Sequence, residues 1–301
     1  MAKQQQVEII AFTDPVCTWC WGSEPVLRKL ILWFGDQIRI TPVMGGLVED
    51  IRDFYDRANN IGGDPEKSNA QIASHWLEAS ERHGMPVQVE GFRLFSTDTV
   101  STYPQNIAYK AVELCNPELA AKFLRRIREA SAAEARETGK REVLIELAND
   151  VGVDLAAFIT HLDDGSAARA FQDDLATTRR YGARGFPTFL LRWGSKELML
   201  RGYQSFRSLY AVISSLSTGR VQEHPPEATT RTILDFLQTF GRAAPVELTT
   251  AFDLSPQELE SILTALVAQK RIQYMPAGNG GFLALQAEGQ SCDPVTRTCT
   301  S

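Results

Sequence analysis

Between Val7 and Phe12 the chain is apolar, with Val7, Ile9, Ile10 and Phe12 as anchors, and Asp14-Pro15 closes the run. A short apolar run ended by turn residues predicts a buried strand. From about Cys20 the spacing turns helical. Val26, Leu27, Leu30, Ile31 and Phe34 share one face, Pro25 is tolerated because it lies near the start, and Gly35 stops the helix. Ile38 to Met44 reads as a second strand with Gly45-Gly46 as its exit. A strand–helix–strand unit with this connection suits a parallel crossover.

From about Asp50 to Gly182 the period is helical throughout. One helix is predicted over 68–82, ended by Gly84, and another from Pro104 to Cys115. Residues 91–103 read as irregular chain placed to wrap over the Cys17–Cys20 pair. Asn116-Pro117-Glu118 is a restart signal, and further helices close at Gly152, near Gly165 and at Gly182. Strand character returns after Gly185-Phe186-Pro187. Thr188–Leu191 and Leu198–Leu200 form a hairpin through Gly194-Ser195, followed by a helix over 206–216. Without the helical block the order is β-α-β, then β-β-α.

Residues 217–228, with Gly219, Pro225 and Pro226, read as a linker. Three helices follow, the third opened by Ser255-Pro256-Gln257-Glu258 as a capping box. A hairpin then turns at Gly278-Asn279-Gly280-Gly281. Three helices and a hairpin make a winged-helix-like arrangement.

The totals remove whole classes of function. The 301 residues favour two domains, and 44% hydrophobic with 23% charged residues excludes disorder. A net charge of -6 argues against non-specific nucleic-acid binding. The winged-helix-like segment carries four basic residues against six acidic ones between 228 and 290, and its third helix starts acidic at Glu258 and Glu260. Protein contact or dimerisation is therefore its expected role rather than DNA binding. No apolar run reaches membrane-spanning length, and Met1 to Gln6 has no signal-peptide pattern, so the expected location is cytoplasmic.

The candidate chemistry sits where the first strand meets the first helix, in Asp14-Pro15-Val16-Cys17-Thr18-Trp19-Cys20-Trp21. A thiolate at a helix N-terminus faces unpaired N–H groups and the positive end of the helix dipole. Cys17 is therefore expected to be the exposed nucleophile with a depressed pKa, and Cys20, one turn on, the deeper resolving thiol. Thr18 and Trp19 supply no positive charge, which implies only a moderate depression. Glu24, four residues after Cys20, reads either as a proton relay or as a solvated carboxylate. A zinc site would need four ligands, and no second close Cys or His set stands nearby, so neither metal nor cofactor is expected. Pro187 opens a returning strand, where the Phe186–Pro187 bond is either cis or trans. A cis bond would turn the Phe186 backbone toward the Cys pair to bind an extended client.

His75, His83, His161 and His224 share no spacing and default to the surface. Cys115 reads as a buried inert thiol. Cys292 and Cys299 in the polar tail read as a labile disulfide, a redox relay to Cys17–Cys20, or idle.

On Asp14 to Trp21, the helical insert and Gly185-Phe186-Pro187-Thr188, the chain resembles the DsbA-like thioredoxin superfamily, over residues 7–217. The resemblance implies an α/β thioredoxin fold with Cys17 as nucleophile, Cys20 as resolving cysteine and a cis Pro187. Thr18, Trp19 and Phe186 would contact the client. The cytoplasmic branch resembling FrnE fits the missing signal pattern. More loosely, Thr232 to Leu285, with Ala251-Phe252-Asp253-Leu254-Ser255, is similar to the SpxH/YjbH adaptors, which present the regulator Spx to the ClpXP protease. Two readings follow: an oxidoreductase exchanging disulfides with protein or small-molecule thiols, or an adaptor that holds a client for a protease. The expected division is a thioredoxin-like core (1–48 and 183–217), an inserted helical domain (49–182), a linker (218–228), a winged-helix-like domain (229–287) and a cysteine-bearing tail (288–301).

Overall fold

The computed structural model describes residues 5–286, together with the backbone of 291–292 and 299–300. The first strand, β1 (Val7–Thr13), leads through a turn into a five-residue helix, α1 (Thr18–Gly22), and then α2 (Glu24–Phe34). A single helix was expected here. The break falls at Ser23, because Pro25 lacks the N–H that an uninterrupted helix needs, and it sits instead in the first turn of α2. β2 (Ile38–Met44) then lies parallel to β1. After a two-residue pair, β3 (Tyr55–Asp56) and β4 (Ile61–Gly62), come α3 (Pro65–His83), α4 (Tyr103–Cys115), α5 (Ala120–Ala132), α6 (Arg141–Val151), α7 (Leu155–Asp163) and α8 (Ser166–Arg180). The helix α3 starts three residues before its predicted position. Asp64 caps it by accepting from Lys67 N at 2.8 Å, with Pro65 beginning the first turn.

The chain returns as the hairpin β5 (Thr188–Trp193) and β6 (Lys196–Arg201), followed by α9 (Phe206–Ser217). The sheet order is β2-β1-β5-β6, with β5 antiparallel to β1 and to β6. This is the α/β thioredoxin sheet, and the helices α3 to α8 leave and re-enter it between β2 and β5. On one face, Val7, Ile9, Ala11, Phe189 and Leu191 pack against Leu30 and Phe34 of α2 and Leu209 and Ile213 of α9. Each such fully buried side chain contributes about 1.5–3 kcal/mol. On the other, Phe12, Val43 and Leu190 meet Ala183 after α8. The inserted helices α4 to α8 share a core around Phe123, Phe158 and Phe171.

The C-terminal segment consists of α10 (Thr230–Phe240), α11 (Pro245–Phe252), α12 (Pro256–Ala268) and the hairpin β7 (Ile272–Ala277) and β8 (Gly280–Leu285). The expected capping box is present at Ser255 and Glu258. This segment does not hang from a free linker. Val221 is buried, and His224 N donates to Trp33 O at 2.8 Å. Trp33 Nε1 in turn donates to Ala251 O at 2.8 Å. The turn at Asn279 closes on Val87 before α4, where Asn279 Oδ1 accepts from Val87 N at 2.8 Å.

The deepest junction is ionic. Arg125 of α5 forks onto Glu247 of α11 at 2.7 and 2.9 Å, and its Nε donates to Glu129 at 2.7 Å. Arg28 of α2 reaches the same Glu247 at 3.0 Å. Glu24 and Arg128 join the cluster, and Arg242 reaches Glu129 at 2.8 Å. Arg28, Arg125, Glu129 and Glu247 are all buried. Three parts of the chain therefore meet through paired charges, which tolerate burial only because each has its counter-charge.

A last pair of two-residue strands, β9 (Ser291–Cys292) and β10 (Cys299–Thr300), sets Cys299 opposite Cys292 in backbone register. The side chains of Cys292 and Cys299, and with them the tail's expected redox chemistry, lie outside the described residues.

Candidate active site

The loop between β1 and α1 is shaped by a buried carboxylate. Asp14 accepts from Val16 N at 2.9 Å, Leu47 N at 2.7 Å, Asn106 Nδ2 at 2.8 Å and Thr102 Oγ1 at 3.3 Å. Burial raises its pKa above the usual carboxylate value, although these bonds oppose the rise. Asp14 thus ties the end of β1 to the exit of β2 and to α4, and so fixes where Cys17 stands.

Cys17 is the N-cap of α1, and its sulfur accepts from Cys20 N at 3.4 Å. The Phe186–Pro187 bond is cis. The Cys17 thiol donates to Phe186 O at 3.4 Å, across 169 residues of chain. Gly45 makes this approach possible: a Cβ there would stand 1.9 Å from the Phe186 ring. Cys17 and Phe186 both line a cavity of about 680 Å³, whose wall also includes Trp19, His75, Trp76 and Arg179. Cys20 and Pro187 face a different space, a cavity of about 30 Å³ behind the pair.

Three expectations need correction. Cys17 is not exposed: 6% of its surface is accessible, against 1% for Cys20. Its access is through the large cavity rather than from open solvent. Its pKa is not depressed but pushed well above the ordinary thiol value. The causes are its hydrogen bond to the Cys20 sulfur, then burial, then repulsion by Cys20. Burial also opposes charge on Cys20, but the bond from Cys17, the nearby Arg128 charge and the Thr13 hydroxyl outweigh it, and the Cys20 pKa is lowered. Of the two thiols, Cys20 is therefore the more readily ionised. The unpaired N–H groups and dipole of one helical turn are outweighed by these neighbours. The third correction is Glu24, which is no solvated carboxylate. It is buried against Arg128, Arg125 and Arg28, and these cations overcome its desolvation and hold its pKa below the usual range. It sits there as a fixed counter-charge.

Thr18 is buried and its hydroxyl has no partner among the described residues, while Trp19 is half-buried at the cavity wall. Trp19 is flanked by His75 at 6.2 Å and His83 at 6.0 Å between ring centres. Neither histidine takes the solvent position expected for it. His75 lines the cavity. His83 is buried, accepts from Met85 N at 3.1 Å, and packs so closely on Gly22 that a Cβ there would fall 2.4 Å from its ring. Burial lowers the His83 pKa to about 4. The unfolded chain then binds a proton that the folded chain refuses, so this group weakens the fold as pH falls from about 6.5 to about 4. The expected loss is on the order of 3 kcal/mol and levels off below pH 4. Urea melts at pH 7 and pH 4.5, compared between the unsubstituted protein and His83→Gln, measure it. Asp14 titrates with the opposite sign and is present in both proteins, so the difference isolates His83. An identical pH slope in the two proteins would refute the assignment.

Cys115 lies half-buried at the end of α4, away from the site, with its pKa raised by burial. Among the described residues no group of three or more His, Cys, Asp or Glu stands close enough to hold a metal ion, and no helix is long and apolar enough to cross a membrane.

The family model for thioredoxin matches residues 10–207, which takes in both cysteines, the inserted helices and the cis proline. The chain belongs to the thioredoxin family. Its similarity to known proteins runs further than that match. The ClpXP adapter protein SpxH of Shouchella clausii is 30% identical over 287 residues, spanning 94% of this chain and 89% of that protein. SpxH of Halalkalibacterium halodurans is 27% identical over 286 residues, spanning 93% and 89%. Among solved structures, the cytosolic disulfide reductase DsbM from Pseudomonas aeruginosa is 26% identical with a TM-score of 0.53, covering 70% of this chain and 97% of DsbM. The SpxH relatives thus extend through the C-terminal segment, whereas DsbM matches a shorter part of this family member.

Proposed function

We propose that this thioredoxin-family protein is a thiol–disulfide oxidoreductase that exchanges disulfides with protein or small-molecule thiols through Cys17 and Cys20. The observation that carries the reading is the meeting of the Cys17 thiol with the Phe186 carbonyl of a cis Phe186–Pro187 bond at the edge of a client-sized cavity. Cys17, which alone of the pair faces that cavity, attacks the client disulfide. Cys20, the more readily ionised of the two, then resolves the mixed disulfide. Trp19 and Phe186 form the walls against which the client lies, with Thr18 behind them. Similarity to DsbM supports a small thiol as one client class, since one structure of that protein was solved with GSH. The cytoplasmic location, the FrnE-like placement, the winged-helix-like reading of 229–287 and the domain boundaries stated above belong to this proposal.

The test is exchange with oxidised glutathione at pH 7. Appearance of a Cys17–Cys20 disulfide with release of glutathione supports the proposal, and a pair that stays reduced at any glutathione ratio overturns it.

A second reading is favoured by the SpxH relatives, which match along the C-terminal segment as well, and by the buried ion cluster that fixes this segment to the core. In that reading the protein is an adaptor that grips a client for a protease and needs no turnover. Pull-down with the Cys17→Ser/Cys20→Ser double variant separates the two. A specific client retained without either cysteine supports the adaptor, and loss of every client along with the cysteines removes it.

A further inference from the structure

The large cavity in front of Cys17 is unevenly charged. Arg179 in the last turn of α8 and Arg184 in the loop before β5 both line it. Neither side chain has a hydrogen-bond or ion-pair partner among the described residues. The chain folds back between them: Gly182 N donates to Arg179 O at 3.0 Å and Ala183 N to Thr178 O at 3.1 Å, which returns Arg184 to the helix end. Thr178 lines the same cavity, is 5% exposed, and its hydroxyl has no partner among the described residues. A buried hydroxyl left unpaired costs free energy that a bound polar group recovers. Arg180, on the same turn of α8, is not part of the cavity wall, and its guanidinium lies over the Tyr181 ring at 5.0 Å.

Among the described residues, Asp56 is the only acid that lines the cavity. Both of its oxygens are already engaged, Oδ1 by Ala58 N at 3.0 Å and Oδ2 by Asn59 Nδ2 at 2.6 Å. The cations therefore face a cavity that supplies no free counter-charge. They also begin beside the reacting sulfur. Arg184 stands two residues before Phe186, whose carbonyl holds the Cys17 thiol. Two residues of chain span at most about 7 Å.

We propose that Thr178, Arg179 and Arg184 form a carboxylate subsite of the Cys17 cavity, which selects clients carrying a free carboxylate close to the disulfide sulfur. The inference rests on the exchange reading above and names its substrate class. A guanidinium presents its N–H donors in a planar fork that matches the two oxygens of a carboxylate. The Thr178 hydroxyl adds one donor from the buried side. The subsite acts in binding: it anchors the carboxylate so that the client sulfur lies against Cys17, and it takes no part in the bonds made or broken. A small thiol of the glutathione type carries such a carboxylate, and so does an acidic residue next to a protein cysteine. The shared chemistry is the carboxylate.

Exchange with oxidised glutathione and with hydroxyethyl disulfide, which has no carboxylate, tests this as a ratio of the two kcat/KM values. A ratio read within one protein does not depend on how much of that protein is folded. Arg179→Gln and Arg184→Gln are each expected to lower the ratio about threefold, and the double variant about tenfold, chiefly through KM for oxidised glutathione. Thr178→Val is expected to lower it about threefold and Thr178→Ser to retain it. Arg180→Gln removes the same charge from the same helix end away from the cavity, and is expected to keep the ratio of the unsubstituted protein. Two peptide disulfides, with Glu or Gln beside the cysteine, identify the source of the carboxylate. Faster exchange of the Glu peptide extends the subsite to protein clients, and equal rates assign it to small thiols. An unchanged ratio in the double variant, or an equal fall in Arg180→Gln, overturns the subsite while the exchange reading stands. If the unsubstituted protein exchanges with neither oxidised glutathione nor hydroxyethyl disulfide, the exchange reading falls and the subsite with it.

Discussion

Cys17→Ser abolishes exchange with a small reporter disulfide, leaving only the uncatalysed rate, because a serine hydroxyl does not form the anion that attacks sulfur. Cys20→Ser has a different expected result. The variant accumulates as a covalent mixed disulfide with its client, visible by non-reducing electrophoresis and mass spectrometry. The electrostatics add a sharper expectation. Cys20 is the main reason the Cys17 pKa is raised, through both its hydrogen bond and its charge. Its removal lets the Cys17 pKa fall, so Cys17 in the Cys20→Ser variant is alkylated by iodoacetamide at pH 7 faster than Cys17 in the unsubstituted protein. Undiminished exchange in Cys17→Ser would sink the oxidoreductase reading. Slower alkylation in Cys20→Ser would show that Cys20 is not what raises the Cys17 pKa.

Arg125→Met is expected to destabilise the protein by about 3–5 kcal/mol, the cost of stranding buried carboxylates without their cation. Glu247 is fully buried, and Glu129 and Glu24 share the same guanidinium. Arg28 still reaches Glu247, which places the loss within that range rather than beyond it. The measurement is the urea midpoint at pH 7, read together with the slope. Adding Glu247→Gln to Arg125→Met is expected to restore part of the loss, because the stranded charge goes with it. Limited proteolysis should then cut first between α9 and α10, where the segment released from the cluster joins the core. A loss below about 1 kcal/mol would mean that the cluster is solvated and does not fix the C-terminal segment.

Most of the fold was legible because its signals are local. The runs at Val7–Phe12 and Ile38–Met44, the glycines that stop helices at 84 and 152, and the hairpin through Gly194-Ser195 each declare themselves within a few residues. The boundaries that slipped were decided by side chains reaching along the chain: Asp64 advanced the start of α3, and Pro25 split the first helix at Ser23. At the site, the Cys-x-x-Cys spacing named both sulfurs, but the partners that set their charge are remote. Arg128, Arg125 and Glu129 stand on a helix whose apolar positions Phe123, Leu124 and Ile127 face a core, and charged residues in such a pattern read as solvated. Their interleaving with buried positions was the available signal. His83 gave none, since nothing near it in sequence shows that Gly22 and Trp19 close over it.

The sequence by itself determined the order of the core's strands and helices along the chain, the thiol pair at the head of a helix and the X-Pro bond that precedes the returning strand, because these depend on spacing, backbone freedom and residue type. Only the tertiary structure decided what the pair is. It brought Phe186 to Cys17 across 169 residues, buried the supposedly exposed thiol, and set Thr13 and Arg128 behind Cys20. The physical reason is that a pKa and an accessible path are properties of surroundings, and the surroundings of Cys17 and Cys20 come from β1, α5 and the loop before β5, which are far apart along the chain.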